Sequence, residues 1–344
     1  MRDSFWKLFF REVLGFMIKV AVMTDLHVDI VHDAQFRIDT FIKRANEEKV
    51  DFAIQLGDFI QPPFKGSYIC AEDRVSPVMR NTLEDKGNNA ACRVKLLESF
   101  EKLNAPFYHV LGNHDLDLYT KEEVMDFWKM KSKYYSFDVK DYHFIVLDAN
   151  FANPDGEVVD FEKGNYMKWM FRGNEPFPFI PDDELSWLEE DLSKTDKPSI
   201  VFCHEGLNDA FLNVINYEQV FDVLSKAPNG VKLCINGHKH QDLLEEQNGI
   251  PVYSVNSISG YSVPPQFAAH RFDKETENRY PSVQYMCVYT DPLFVIITID
   301  EDEVHIEGAK TSFVEPTPEE VGVNFPNPTI ILTPTATSAD IKLE

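Results

Sequence analysis

Five short apolar segments of this chain each break off into a polar cluster of the same kind. IKVAVMT (18–24) runs into Asp25 and His27, DFAIQL (51–56) into Asp58, and PFYHVLG (106–112) into Asn113, His114 and Asp115. SIVFCH (199–204) ends on His204, and VKLCING (231–237) runs into His238 and His240. Apolar runs of this length, rich in β-branched and aromatic residues, read as buried strands. In an open α/β sheet the ligand crevice lies at the carboxyl ends of the strands, where these polar residues fall.

The segments between fit the same frame. Ile38, Phe41, Ile42 and Ala45 recur at helical spacing and predict a β-α-β unit with the first two runs. Thr120 and Glu123 form a capping box ahead of Val124, Phe127 and Trp128. YYSFDV and YHFIVLD, separated by Lys140-Asp141, predict a hairpin, and 149–180 reads as irregular. Leu185, Leu188 and Leu192 mark a helix over 182–193; a second helix is expected near 217–226, and IPVYSVN (250–256) as a further strand. The order predicts a mixed-sheet core with helices outside and no separate domains.

Charge narrows the partners. With 33 Lys and Arg against 57 Asp and Glu the formal charge is −24, which repels phosphate backbones and anionic membrane surfaces. A phosphate ester would need positive charge from metal ions or from a basic patch. Residues 61–95 are the basic exception, with Lys65, Arg74, Arg80, Lys86, Arg93 and Lys95 against four acidic residues. They read either as a solvated surface or, directly after Asp58, as a substrate-binding lid carrying Arg74, Arg80 and Arg93.

The five cysteines (Cys70, Cys92, Cys203, Cys234 and Cys287) show no CxxC spacing and read as free thiols of a reducing, cytoplasmic setting. Arg11 and Glu12 interrupt the apolar N-terminus, which argues against a signal peptide, and no apolar run is long enough to span a membrane. Residues 316–344 hold five of the twenty prolines and a Thr-rich run, and read as an irregular tail.

Carboxylate, imidazole and one amide, with no thiolate, suit Mn, Fe, Zn, Ni or Co. The ligand count exceeds what one ion takes. Two ions about 3.5–4 Å apart could share a carboxylate and hold a hydroxide for in-line attack on phosphorus.

Asp25-Leu26-His27, Gly57-Asp58, Gly112-Asn113-His114-Asp115, His204 and Gly237-His238-Lys239-His240 follow the order DxH, GD, GNH[DE], H, GHxH. On these motifs, over residues 18 to about 257, the chain resembles the calcineurin-like metallophosphoesterase superfamily. The resemblance implies a four-layer αββα sandwich of two mixed sheets flanked by helices, with a C-terminal irregular extension. It implies an N-terminal extension (1–16), a catalytic domain (17–315, with the insertion 61–95) and the tail 316–344. Asp25, His27 and His240 would bind a first divalent metal, Asn113, His204 and His238 a second, and Asp58 would bridge them. His114 would serve as proton donor or transition-state stabiliser, with Asp115 holding its ring. The implied function is dinuclear metal-dependent hydrolysis of a small phosphate ester or nucleotide. A non-catalytic interaction scaffold on the same fold and a nuclease are the competing readings. The complete ligand set disfavours the first and the acidity of the chain the second.

Overall fold

The computed structural model describes residues 17–61, 96–169, 176–208, 213–323 and 332–343. The expectations for residues 1–16, for Cys70 and Cys92, and for Arg74, Arg80 and Arg93 of the basic insertion lie outside the described residues.

Strands in chain order are β1 (Ile18–Met23), β2 (Phe52–Gln55), β3 (Phe107–His109), β4 (Tyr135–Val139), β5 (Tyr142–Val146), β6 (Phe151–Ala152), β7 (Val159–Asp160) and β8 (Ser199–Phe202). They continue with β9 (Val231–Asn236), β10 (Leu243–Gln247), β11 (Ile250–Ser254), β12 (Gly260–Ser262), β13 (Met286–Val288), β14 (Val295–Ile299), β15 (Glu303–Glu307) and β16 (Ala339–Lys342). The helices that cover them are α1 (Ala34–Glu48), α2 (Lys121–Trp128), α3 (Asp182–Lys194) and α4 (Tyr217–Leu224).

Alternation along β1 decides the layering. Ile18, Val20 and Val22 face one core while Ala21 and Met23 face another, and all are buried. A strand buried on both faces belongs inside a stack of layers. One sheet runs β16-β15-β14-β1-β2-β3 and the other β10-β11-β9-β8-β5-β4. Between them Phe52, Ile54 and Leu56 pack with Phe144, Phe202, Leu233 and Ile235. Each such side chain, fully buried, contributes about 1.5–3 kcal/mol.

The outer faces are covered by helices. Ile38, Phe41, Ile42 and Ala45 of α1 lie on Ala21 and Ala53, as their spacing predicts. Leu188 and Leu192 of α3 and Val220, Phe221 and Leu224 of α4 cover Val201, Cys203 and Cys234. The fold is thus the expected αββα sandwich, and Cys203 and Cys234 are core thiols on the helix side of their strands. The Thr120 capping box is formed, and β4 and β5 make the expected hairpin.

Three features exceed the expectation. The stretch 149–180 contains the small β6–β7 pair. The segment past residue 257 completes the first sheet, with β14 antiparallel to β1. In the tail, expected to be irregular, Ala339–Lys342 pairs as an edge strand with β15. The physical reason is local: the prolines stop at Pro334, and beyond them Ile341 and Leu343 alternate toward the inter-sheet core.

Parallel pairing of β1, β2 and β3, and of β5, β8, β9 and β11, sends the carboxyl ends of each set one way. The histidines outside the motifs have structural places. His109 stacks on Trp128 with centroids 4.0 Å apart, and His270 and His305 pair with Glu277 and Asp340.

His143 on β5 is held by Asp138 of β4 at 2.7 Å and by Asp191 of α3 at 2.8 Å. Burial disfavours its charge, but the bonds to Asp191 and Asp138 prevail and raise its pKa above the ordinary value. A raised folded-state pKa gives stability that is full below the unfolded value, about 6.5, and lost as pH rises through the folded one. Thermal melts of His143→Gln should therefore show a larger loss relative to wild type at about pH 5.5 than at about pH 9. An equal loss at both would show that the imidazolium contributes nothing.

Candidate metal centre

The polar clusters converge because the strand ends do. Asp25 and His27 follow β1, Asp58 follows β2, Asn113 and His114 follow β3, His204 follows β8, and His238 and His240 follow β9. The bonds that join the sheets here include His204 Nδ1 to the carbonyl of Leu56 at 2.7 Å and the His238 amide to Asp25 Oδ2 at 3.0 Å.

Close approach and tight turning need special backbone. Gly57 has φ +106°, and a Cβ on it would collide with His204 and Gly112; one on Gly112 would collide with Asp58. Asp25, His27, Asp58, His238 and His240 lie in the left-handed region without being glycine, with φ of 55°, 51°, 55°, 69° and 53°. Each costs about 1–2 kcal/mol, and such outliers persist where surrounding structure enforces them.

The donor atoms form two groups, Asp25–His27–His240 and Asp58–His204–His238, each with its ligand atoms within 4.8 Å of one another. In the first, His27 Nε2 lies 3.0 Å from His240 Nε2, and Asp25 Oδ1 lies 3.2 Å from His240 Nε2. In the second, His204 Nε2 lies 3.2 Å from Asp58 Oδ2 and 3.3 Å from His238 Nδ1.

Second partners fix which atoms face inward. His240 Nδ1 donates to the carbonyl of Gly260 at 2.7 Å, and His204 Nδ1 donates to Leu56, so in the neutral form of each ring Nε2 is the atom with the lone pair. Thr24 and the His238 amide bond Asp25 Oδ2, whereas Asp25 Oδ1 is buried without a partner, as is Asn113 Oδ1. Acceptors gathered around one point with orphaned oxygens fit a cation, and the N/O donor set fits a divalent transition metal.

Electrostatics agree in most positions. Burial works against the charge of Asp25 and Asp58, but His240 and His204 override it and hold both carboxyls below the usual range. Burial and His240 drive His27 down to about 3, and burial with Lys239 drives His238 well below its ordinary value. These rings are neutral, the ligating form. His204 differs: burial lowers it, yet Asp58 raises it well above the usual range, so an arriving cation takes the place of a proton.

A family model for calcineurin-like phosphoesterases matches residues 18–242. The chain belongs to the calcineurin-like phosphoesterase family. Over 188 residues this chain is 25% identical to an Arabidopsis thaliana protein named manganese-dependent ADP-ribose/CDP-alcohol diphosphatase, covering 45% of this chain and 60% of that one. Over 184 residues it is 26% identical to an Oryza sativa subsp. japonica protein of the same name, covering 43% of this chain and 56% of that one. The chain thus spans less than two thirds of either relative. A dimetal phosphatase structure from Danio rerio shares the fold, with TM-score 0.58 and 15% identity over 86% of this chain and 98% of that one.

Among the residues expected at the site, Asp115 does something other than expected. It does not hold the His114 ring; its carboxylate accepts the backbone N–H groups of Asp58 (3.0 Å), Ile60 (3.2 Å) and Gly112 (3.0 Å). Burial and the nearby Asp58 push its carboxyl up to about 7. The ring is held by Asp117, whose Oδ2 lies 2.7 Å from His114 Nδ1. Burial opposes a charge on His114, and Asp117 and Asp58 together raise its pKa to about 9. A single helical turn at His114–Leu116 explains the exchange, since the residue three positions on shares the ring's side of the turn. That i, i+3 spacing is a signal sequence reading could have used. The turn after β11 braces the first ligand loop: Ser257 and Ser259 donate to the carbonyls of Asp25 and Leu26.

Asp115 joins the two ligand turns through three buried amides. Asp115→Ala leaves these donors orphaned at about 1–3 kcal/mol each, so the urea midpoint should fall steeply. An unchanged midpoint would show that the turns are held by other contacts.

Proposed function

We propose that this chain hydrolyses a small phosphorylated substrate, specifically a nucleoside diphosphate derivative, with two divalent ions of which manganese is the favoured one. The observation that carries the reading is the pair of buried ligand groups, Asp25–His27–His240 and Asp58–His204–His238, beside a histidine that belongs to neither. The names of the plant relatives support the diphosphate substrate and the metal.

In this reading Asp25, His27 and His240 hold one ion, Asn113, His204 and His238 hold the other, and Asp58 is shared. When bound, the ions supply positive charge for the phosphate and acidify a water into a nucleophile at neutral pH. A chain at −24 has special need of that charge. His114 gives a proton to the leaving oxygen, its backbone amide tied to Asp58 Oδ1 at 2.8 Å and its ring to Asp117. Arg74, Arg80 and Arg93 belong to the same proposal as contacts for the phosphate. Residues 17–315 form its catalytic domain. Buried free thiols at Cys203, Cys234 and Cys287 support a cytoplasmic setting, and no helix among the described residues is long and apolar enough to cross a membrane. The complete ligand set favours this enzyme over a non-catalytic scaffold.

The test is a screen of manganese-loaded protein against ADP-ribose, a CDP-alcohol, cyclic nucleotides and monoesters. Diphosphate hydrolysis that chelation abolishes is expected. Asp58→Ala should lose metal and rate together, while His114→Ala keeps the metal and loses on the order of 10²–10⁴ in rate. Monoester or cyclic-nucleotide turnover without diphosphate turnover would refute the substrate class, and full activity of His114→Ala on a poor leaving group would refute its role.

A further inference from the structure

One phenol touches both halves of this machinery. Tyr166 is buried, 1% exposed, with its ring stacked on Phe161 at 4.7 Å between centroids and edge-on to Phe177. Its hydroxyl donates to Asp117 Oδ1 at 2.7 Å and accepts from Asn113 Nδ2 at 3.0 Å. The other oxygen of Asp117 holds His114 Nδ1 at 2.7 Å.

A phenol has one proton to give. With that proton on the Asp117 carboxylate, only lone pairs remain toward Asn113, so the amide must turn its NH₂ to Tyr166. Its carbonyl oxygen, Asn113 Oδ1, is then the atom left facing away, buried and without a hydrogen-bond partner. An amide turned over would set its oxygen against the phenol lone pairs and its NH₂ where a cation is to bind. The orientation therefore follows from proton counting.

We infer that Tyr166 is a positioning residue: through one hydroxyl it turns the carbonyl oxygen of Asn113 toward the second ion and steadies the carboxylate that orients His114. The inference rests on the two-ion reading above. It connects the residue after β3 with a side chain some fifty positions on, which no motif links to the metal centre.

The experiment uses full-length wild type, Tyr166→Phe, Asn113→Ala and the double variant, each freed of metal and titrated with Mn²⁺ while electron paramagnetic resonance reports the free ion. Tyr166→Phe keeps the aromatic packing and removes only the hydroxyl. One of the two Mn²⁺ affinities should fall on the order of 10–100-fold and the other hold, as is usual when a residue that orients a ligand is lost. In the Asn113→Ala background the same change should cost nothing further, because there is no amide left to orient. Wild-type affinity at both ions in Tyr166→Phe would overturn the inference. So would an equal loss in both backgrounds, the pattern that general destabilisation gives. Wild type that binds fewer than two ions would overturn this and the two-ion reading together. Wild type that binds two ions yet hydrolyses no diphosphate would overturn the substrate reading alone, and the titration would still judge Tyr166.

Discussion

Acceptor atoms face acceptor atoms at the carboxyl ends of both sheets, and much of the surrounding structure holds that unfavourable arrangement in place. Two imidazole nitrogens stand 3.0 Å apart in one group and 3.3 Å apart in the other, with carboxylate oxygens against them. In the Asp58 group a proton held on His204 relieves this crowding, and in both groups a cation would. The counterforce comes from the carbonyls of Leu56 and Gly260, which fix ring orientation, and from Asp115, which ties the β2 and β3 turns together. The five ligand residues in left-handed conformation belong to the same account. Their backbone strain is sustained by the sandwich, and it aims the side chains inward.

The fold and the centre depend on each other at the seam between the sheets. The inter-sheet core brings β1 and β2 over β8 and β9, which sets the distance across which Asp25 meets His238 and Leu56 meets His204. Those contacts in turn pin the ends of the same strands. Gly57 and Gly112 mark where the backbones come closest, and a side chain at either would push the ligand turns apart. The acidity of the chain fits the same logic, because cations bound in the two ligand groups would reverse the local field that an anionic substrate would otherwise meet.

The centre was legible in the sequence where ligands sit directly after apolar runs. Asp25, His27, Asp58, Asn113, His204, His238 and His240 each announce themselves by residue type and by a strand ending just before them, and the structure brings the carboxylates and imidazoles into two groups. What escaped lies outside that local grammar. Asp117 is legible only if the turn after Asn113 is known to be helical, so the adjacent Asp115 took its place. Tyr166 sits in a stretch without periodicity, and its contact with Asn113 exists only in three dimensions. Strand β14 lies outside the motifs for a different reason: the acidic turn that follows it at Asp300 belongs to none of them, and its antiparallel pairing with β1 joins residues far apart in the chain. In the tail, proline content hid a short alternating segment that pairs at the edge of the first sheet.

The central claim is that these residues form one binuclear centre shared through Asp58. Anomalous diffraction from manganese-soaked crystals tests it most directly. The account expects two peaks about 3.5–4 Å apart, one against Asp25, His27 and His240, the other against Asn113, His204 and His238, with Asp58 touching both. A single peak, or two peaks with Asp58 bound to only one, would contradict it.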